Sequence, residues 1–156
     1  MKAGKLLRRV GLTAAVLVVA AQFVPVRRDN PPVAMDVQAP PAVKDILRAA
    51  CYDCHSNETR WPWYSRVAPV SWWLADHVHE GRKDLNFSRW PILDFEAQRD
   101  AREDIVQQIE KGEMPLASYR LGHPEARLDA GQKAALLDWA RGDGGVNVED
   151  ELEGLY

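Results

Sequence analysis

The chain has 156 residues, 46% of them hydrophobic and 28% charged, which fits one ordinary globular core with extensions and leaves little room for a second. Residues 1–26 hold Lys2, Lys5, Arg8 and Arg9 and no acid, so the remaining 16 bases face all 23 acids, a balance of −7 beneath the overall −3. That surface excludes a general polyanion binder and, with it, a nucleic-acid protein.

The first element is "VGLTAAVLVVAAQFVPV", residues 10–26, uncharged and preceded by the basic cluster. A bilayer-spanning helix needs about 17–25 such residues, so the run is expected to be a single N-terminal transmembrane helix. The basic side stays in the cytoplasm, which places everything after residue 26 outside it. A cleavable leader ending near Val19-Ala20-Ala21 is the competing reading.

Residues 27–41 read as a Pro-rich linker: five of the ten prolines fall between Pro25 and Pro41. Residues 42–142 form the expected domain, and its class is mainly α. "PAVKDILRAA" starts at Pro41, with Val43, Ile46 and Leu47 on one face. "SWWLADHVHEGRKD" has Ser71 as its expected cap and Gly81 as its expected end. "FEAQRDAREDIVQQIEKG" is capped by Asp94 and stopped by Gly112, and "AGQKAALLDWARG" is capped by Asp129 and stopped by Gly142. Residues 143–156 form an acidic tail, with five acids and no base.

Both cysteines lie in "CYDCH", residues 51–55, which has the C-x-x-C-H spacing of covalent haem attachment. Two thiols three residues apart on a helical turn reach one edge of a porphyrin and can form thioethers with its vinyl groups. The next residue, His55, then brings a neutral imidazole to the iron. The expected cofactor is one haem c, held through Cys51 and Cys54. A structural disulfide does not account for the adjacent histidine. A thioredoxin-like pair lacks its βαβ setting. Zinc needs further ligands, for which His77 and His79 are the candidates.

With both thiols used, the second axial position falls to Met114 in "KGEMPLASY", between a helix stop and Pro115. A thioether there favours ferrous iron and suits electron transfer. Among the other histidines, His77 is the alternative distal ligand. Five tryptophans, Trp61, Trp63, Trp72, Trp73 and Trp90, fall within thirty residues and read as the wall of a flat apolar cofactor. Arg60, Arg66 and Arg82 are candidates for its propionates.

"NPPV", "CYDCHSNETRWPWYSRVAPVSWW", "EGRKDLNFSRW" and "GEMPLASYRLGHPEARL", in that order, resemble the small bacterial haem-binding domain family. The resemblance covers roughly residues 30–142. It implies haem attachment by Cys51 and Cys54, ligation by His55, and an inner-membrane anchor with the haem domain in the periplasm. Met114-Pro115 is similar to the distal methionine loop of class I cytochromes c. That likeness implies that helices 41–50 and 130–142 cross beside the haem, with Trp139 at the contact. The long Trp-rich insertion departs from the cytochrome pattern, and "LNFSRW", residues 85–90, carries no evident mechanism.

The expected function is therefore a one-electron carrier that exchanges electrons with an unidentified protein partner, and not an enzyme. Two alternatives remain. One is a haem-based sensor with a displaceable Met114. The other is a peroxidase-like enzyme using His77 or Arg82.

Overall fold

The computed structural model describes residues 2–142; the acidic tail expected from residue 143 lies outside them. Seven α-helices and no strand occur among these residues. The mainly helical class expected from the periodicity is the one observed.

Helix α1 covers Lys2–Ala21. Its 20 residues include the charged stretch Lys2–Arg9, so only the twelve from Val10 to Ala21 are both helical and uncharged. At about 1.5 Å per residue these reach roughly 18 Å, well short of the ~30 Å hydrocarbon core. No helix among the described residues is long and apolar enough to cross a membrane. This overturns the expected N-terminal transmembrane helix and the inner-membrane placement built on it. The helix stops where Pro25 sits four residues beyond Ala21, a spacing at which the proline ring collides with the helical carbonyl. The Gln22 side chain then folds back, donating to the Val18 carbonyl at 2.8 Å and accepting from the Ala68 amide at 2.9 Å.

Helix α2 is Pro41–Ala50, with proline at the first position, where a missing N–H costs nothing. Val43, Ile46, Leu47 and Ala50 are buried along one face. Cys51 breaks the helix, and the single turn α3, Tyr52–His55, follows at once. Helices α4, α5, α6 and α7 are Val70–Asp84, Phe95–Lys111, Ala117–Gly122 and Ala130–Arg141. Asp94 caps α5 by accepting from the Ala97 amide at 2.8 Å, and Gly112 ends it at φ 69°. Asp129 and Gln132 form a reciprocal capping box on α7, which ends at Gly142 with φ 87°. All four boundary residues are those expected from sequence.

The core forms where α7 packs on both α5 and α2. Leu47, Ile105, Ile109, Leu136 and Trp139 are buried there, each contributing about 1.5–3 kcal/mol on removal from water. Trp139 lies 6.1 Å from Trp90, and the Arg102 guanidinium sits 4.6 Å from the Trp139 ring while donating to the Trp139 carbonyl at 2.8 Å. Trp63 is 77% exposed, and Trp72 and Trp73 are also exposed. Of the clustered tryptophans only Trp90 is buried, so the expected aromatic wall does not form from this segment.

The boundaries of α4 differ from expectation. Ser71 lies inside the helix and is buried, and Gly81 lies three residues before its end. Gly81 is there for close approach: a Cβ added to it would stand 2.9 Å from the Cys54 carbonyl oxygen and 3.3 Å from the Cys54 Cβ. A packing glycine and a stop glycine look the same in one sequence.

The Pro-rich stretch is strapped onto the domain. Arg28 donates to the Ser65 carbonyl at 2.8 Å, Asn30 to the Thr59 carbonyl at 2.9 Å, and Asn57 to the Pro32 carbonyl at 2.9 Å. Val37 is fully buried, and Asp36 pairs with Lys44 at 2.8 Å while accepting from the Tyr52 hydroxyl. Burial opposes ionisation of Asp36, but hydrogen bonds from Lys44 and Tyr52 and the Lys44 charge outweigh it, and the carboxyl is held below its ordinary value. Its stabilising effect is thus present above the unfolded pKa of about 3.9 and lost as pH falls through the lower folded value. Asp36→Asn is expected to lower stability at pH 7 and to flatten the acid limb below about pH 4, read from urea midpoints against pH; an unchanged acid limb would count against this role.

Candidate functional site

The site begins with the break at Cys51. Because α3 restarts the helix there, Cys51 and His55 fall four residues apart, on one side of a single turn. The His55 Nδ1 lies 2.8 Å from the Gly81 carbonyl oxygen and 3.2 Å from that of Leu85. Carbonyls only accept, so Nδ1 carries the proton and Nε2 keeps its lone pair. Burial pushes the His55 pKa down, against a smaller upward pull from the two carbonyls. The ring is therefore a neutral imidazole with its tautomer fixed.

A cavity of about 520 Å³ opens beside this ring. Leu47, Leu85, Phe87, Ile105, Ile109 and Leu136 supply its apolar lining, and Cys51, His55 and Met114 share it. Met114 is half-buried, packed against the core cluster, in the loop between α5 and α6. Its backbone amide donates to the Gln108 carbonyl at 3.3 Å, just past the left-handed turn at Gly112. Thus three of the four residues expected to hold the cofactor converge from α3 and a loop some sixty positions later in the chain.

Residues 16–142 match the description of a haem-binding domain. The chain belongs to the haem-binding domain family. No curated protein and no solved structure matches it.

The residues present fit a haem. The cavity volume lies within the roughly 300–1,000 Å³ of small-molecule and cofactor pockets, its lining is largely apolar, and a neutral imidazole and a thioether reach it. Asp84, Asp104 and Gln108 are the polar side chains on its wall. Arg60, Arg66 and Arg82, expected to serve the propionates, are absent from that wall. Arg60 instead grips the buried Asp53 at 3.1 and 3.2 Å, and Asp53 also accepts from the Tyr119 hydroxyl at 2.8 Å. Asp53 lies between the two cysteines, and Tyr119 lies on α6 just beyond Met114. The Cys51–His55 turn is therefore tied directly to the helix that follows the Met114 loop.

Cys54 occupies a different position. It lines a narrow neighbouring cleft with Tyr64 and Tyr119, its backbone pressed against Gly81. Both cysteines are free. Burial pushes the Cys51 thiol up to about 12, and burial with the Asp53 charge raises Cys54 to about 11. Burial thus disfavours the thiolate at both positions, the opposite of the depressed thiol pKa that a disulfide oxidoreductase needs.

The remaining histidines stand away from the cavity. His77 donates from Nδ1 to the Trp73 carbonyl of its own helix at 2.9 Å, with its ring 4.3 Å from the Trp73 indole. The structure therefore does not bring the alternative distal ligand to the site. His79 is exposed, and His123 lies between the Tyr64 hydroxyl and Glu125. Among the described residues no group of three or more His, Cys, Asp or Glu is placed to hold a metal ion.

The segment "LNFSRW" acquires its mechanism here. The Leu85 carbonyl receives the His55 proton donor and its side chain lines the cavity. Asn86 caps a short 3₁₀ turn, Phe87–Ile92, by accepting from the Ser88 amide. Phe87 is 1% exposed and stacks between Tyr52 at 5.3 Å and Trp90 at 6.0 Å. Ser88, fully buried, accepts from the Asn57 amide at 3.0 Å. Sequence reasoning missed these roles because His55, Tyr52 and Asn57 are distant along the chain; the local signals were Asn86 as a cap and the Phe87–Trp90 spacing.

Gly81→Ala would place a methyl 2.9 Å from the Cys54 carbonyl and force α4 away from α3. We expect a loss of about 1–3 kcal/mol in urea unfolding, together with weaker haem retention, because the His55 acceptor moves with the helix. Wild-type stability and haem retention in this variant would show that the contact does not position His55.

Proposed function

We propose that the chain binds one haem c in this cavity, attached through Cys51 and Cys54 and ligated by His55 and Met114, and acts as a one-electron carrier for a partner protein. The observation that carries the proposal is the fixed proton on His55 Nδ1, which leaves Nε2 free beside a cavity that Met114 shares. The haem iron, when bound, supplies a reversible one-electron couple. The chain's own residues set its conditions. The Gly81 and Leu85 carbonyls orient the imidazole and raise its basicity, the Met114 thioether favours the reduced state, and the aliphatic wall limits water. The packing of α2 on α7, with Trp139 buried beside them, supports a relation to class I cytochromes c.

A carrier fits better than a peroxidase-like enzyme. His77 and Arg82, the residues the sequence offered for peroxide cleavage, both lie off the cavity wall. Arg82 spends its donors on the Ser56 carbonyl and on Asn30 and Thr59.

Mass and spectrum of the haem-loaded protein test the proposal. We expect the mass of the chain plus one haem to persist under denaturing conditions. We also expect a low-spin spectrum whose thioether-to-iron charge-transfer band disappears in Met114→Ala. Haem lost on denaturation would overturn covalent attachment, and an unchanged spectrum in Met114→Ala would overturn the distal ligand. Cys54→Ser tests the second thioether: because Cys54 lines the neighbouring cleft, its contribution rests on the motif spacing and is measured by whether this variant still retains haem through Cys51.

A further inference from the structure

A second large space lies beside α4. This open cleft of about 650 Å³ is lined by one helical stripe, in which Val78, His79, Arg82 and Lys83 recur at i, i+1, i+4 and i+5, and by Arg27, Asp29 and Arg89 from other segments. Asp84, by contrast, lines the haem cavity. The cleft thus gathers Arg27, Arg82, Lys83 and Arg89 against one acid, Asp29, in a chain whose formal charge is −3.

The fate of each charge decides what the cleft can hold. Asp29 pairs with Arg27 at 3.1 Å in an exposed contact, and it is the one acid set against the cleft's cations. Lys83 reaches Glu80 at 3.3 Å, but both are exposed and such a pair is worth at most about 1 kcal/mol. Among the described residues Arg89 and His79 enter no ion pair with a carboxylate.

Arg82 is the informative residue. It donates to the Ser56 carbonyl at 2.7 Å, the Asp29 carbonyl at 2.9 Å, the Asn30 side-chain oxygen at 2.9 Å and the Thr59 hydroxyl at 2.8 Å. All four acceptors are neutral. The guanidinium is half-buried and four of its five N–H donors are used on these neutral groups; no carboxylate among the described residues lies within 4.0 Å, and the Asp29 carboxylate offsets its charge only from further off. A fixed positive charge whose nearest carboxylate is more distant and shared with Arg27 lowers the free energy of an anion brought beside it. Lys83 and Arg89, at the rim, are free to close on that anion as hydrogen-bond donors. Trp61, also on the wall, offers an apolar face, and the concavity favours a compact molecule over a flat protein surface.

We propose that this cleft binds a small polyanion carrying two or more phosphate or carboxylate groups. Lys83 and Arg89 contact the anionic groups, and Arg82 supplies fixed positive charge at the base. The site is separate from the haem cavity and does not depend on how the haem is attached or ligated.

Calorimetric titration of the full haem-loaded chain with pyrophosphate and with citrate, each at constant ionic strength set with chloride, tests the proposal. One equivalent is expected to bind saturably, and Lys83→Ala/Arg89→Ala is expected to weaken binding by about 10-fold or more. Both residues are exposed, so the fold tolerates their loss. Arg99→Ala, an exposed cation on α5 outside the cleft, is expected to leave affinity unchanged. Tighter pyrophosphate binding identifies a phosphate-bearing ligand; tighter citrate binding identifies a carboxylate-bearing one. Absence of saturable binding by either probe, full affinity in the double variant, or an equal loss in Arg99→Ala would overturn the proposal.

Discussion

Everything at the candidate site depends on one hydrogen-bonding arrangement, the His55 Nδ1–H shared between the Gly81 and Leu85 carbonyls. The Gly81 carbonyl belongs to the last turn of α4, where it also accepts from the Leu85 amide at 3.0 Å, and Leu85 is the residue that caps the helix, at the negative end of its dipole. His55 therefore caps the C-terminus of α4 while presenting the other ring nitrogen to the cavity. The arrangement requires α3 and α4 to approach closely, which a side chain at position 81 forbids. It also requires the chain to leave α4 at Leu85 without drifting, which the 3₁₀ turn from Phe87 and the stacking of Phe87 on Tyr52 enforce. Local helix geometry, a single glycine and a buried aromatic stack thus serve one nitrogen atom.

This dependence explains what could be read from the sequence and what could not. Cys51, His55 and Met114 could be picked out as candidates because short spacing marks them, a three-residue thiol pair, the adjacent imidazole, and a methionine between a helix stop and a proline, and they do line one cavity. The ends of α5 and α7 were legible for the same reason, since Asp94, Gly112, Asp129 and Gly142 act within a few residues of themselves. Gly81 was misread as a stop because its meaning lies in the backbone of Cys54, on another helix. "LNFSRW" was opaque because Ser88 answers Asn57 and Phe87 answers Tyr52 across the chain. The tryptophans misled in the opposite direction. Composition counts indoles but does not say which face of α4 or which turn presents them, and most of this cluster points to solvent.

The N-terminal run shows a related limit. Hydropathy counts apolar residues, whereas crossing a bilayer depends on continuous helix length. Residues 10–26 contain enough apolar residues, but Pro25 ends the helix at Ala21, and Gln22 spends its amide on Val18 and Ala68. The Pro-rich stretch that follows packs on the domain through Asn30, Pro32 and Val37, where composition alone implies an extended, semi-rigid spacer.

Helix α4 and its exit stand between two spaces of different character, and the residues serving each alternate along the chain. Gly81, Asp84 and Leu85 hold or face the haem cavity; Arg82, Lys83 and Asn86 face the basic cleft. Arg82 also donates to the carbonyl of Ser56, the residue after His55, so the cleft's fixed charge is bonded to the end of the Cys51–His55 turn. Charge placed in the cleft acts across one helix wall rather than through bulk water, where screening would erase it. If the cleft holds an anion and His55 holds an iron, the sign follows: the anion would stabilise positive charge on the His55 side and with it the oxidised state. The same wall that orients the imidazole can therefore carry an electrostatic influence to it, with no movement of the helix required.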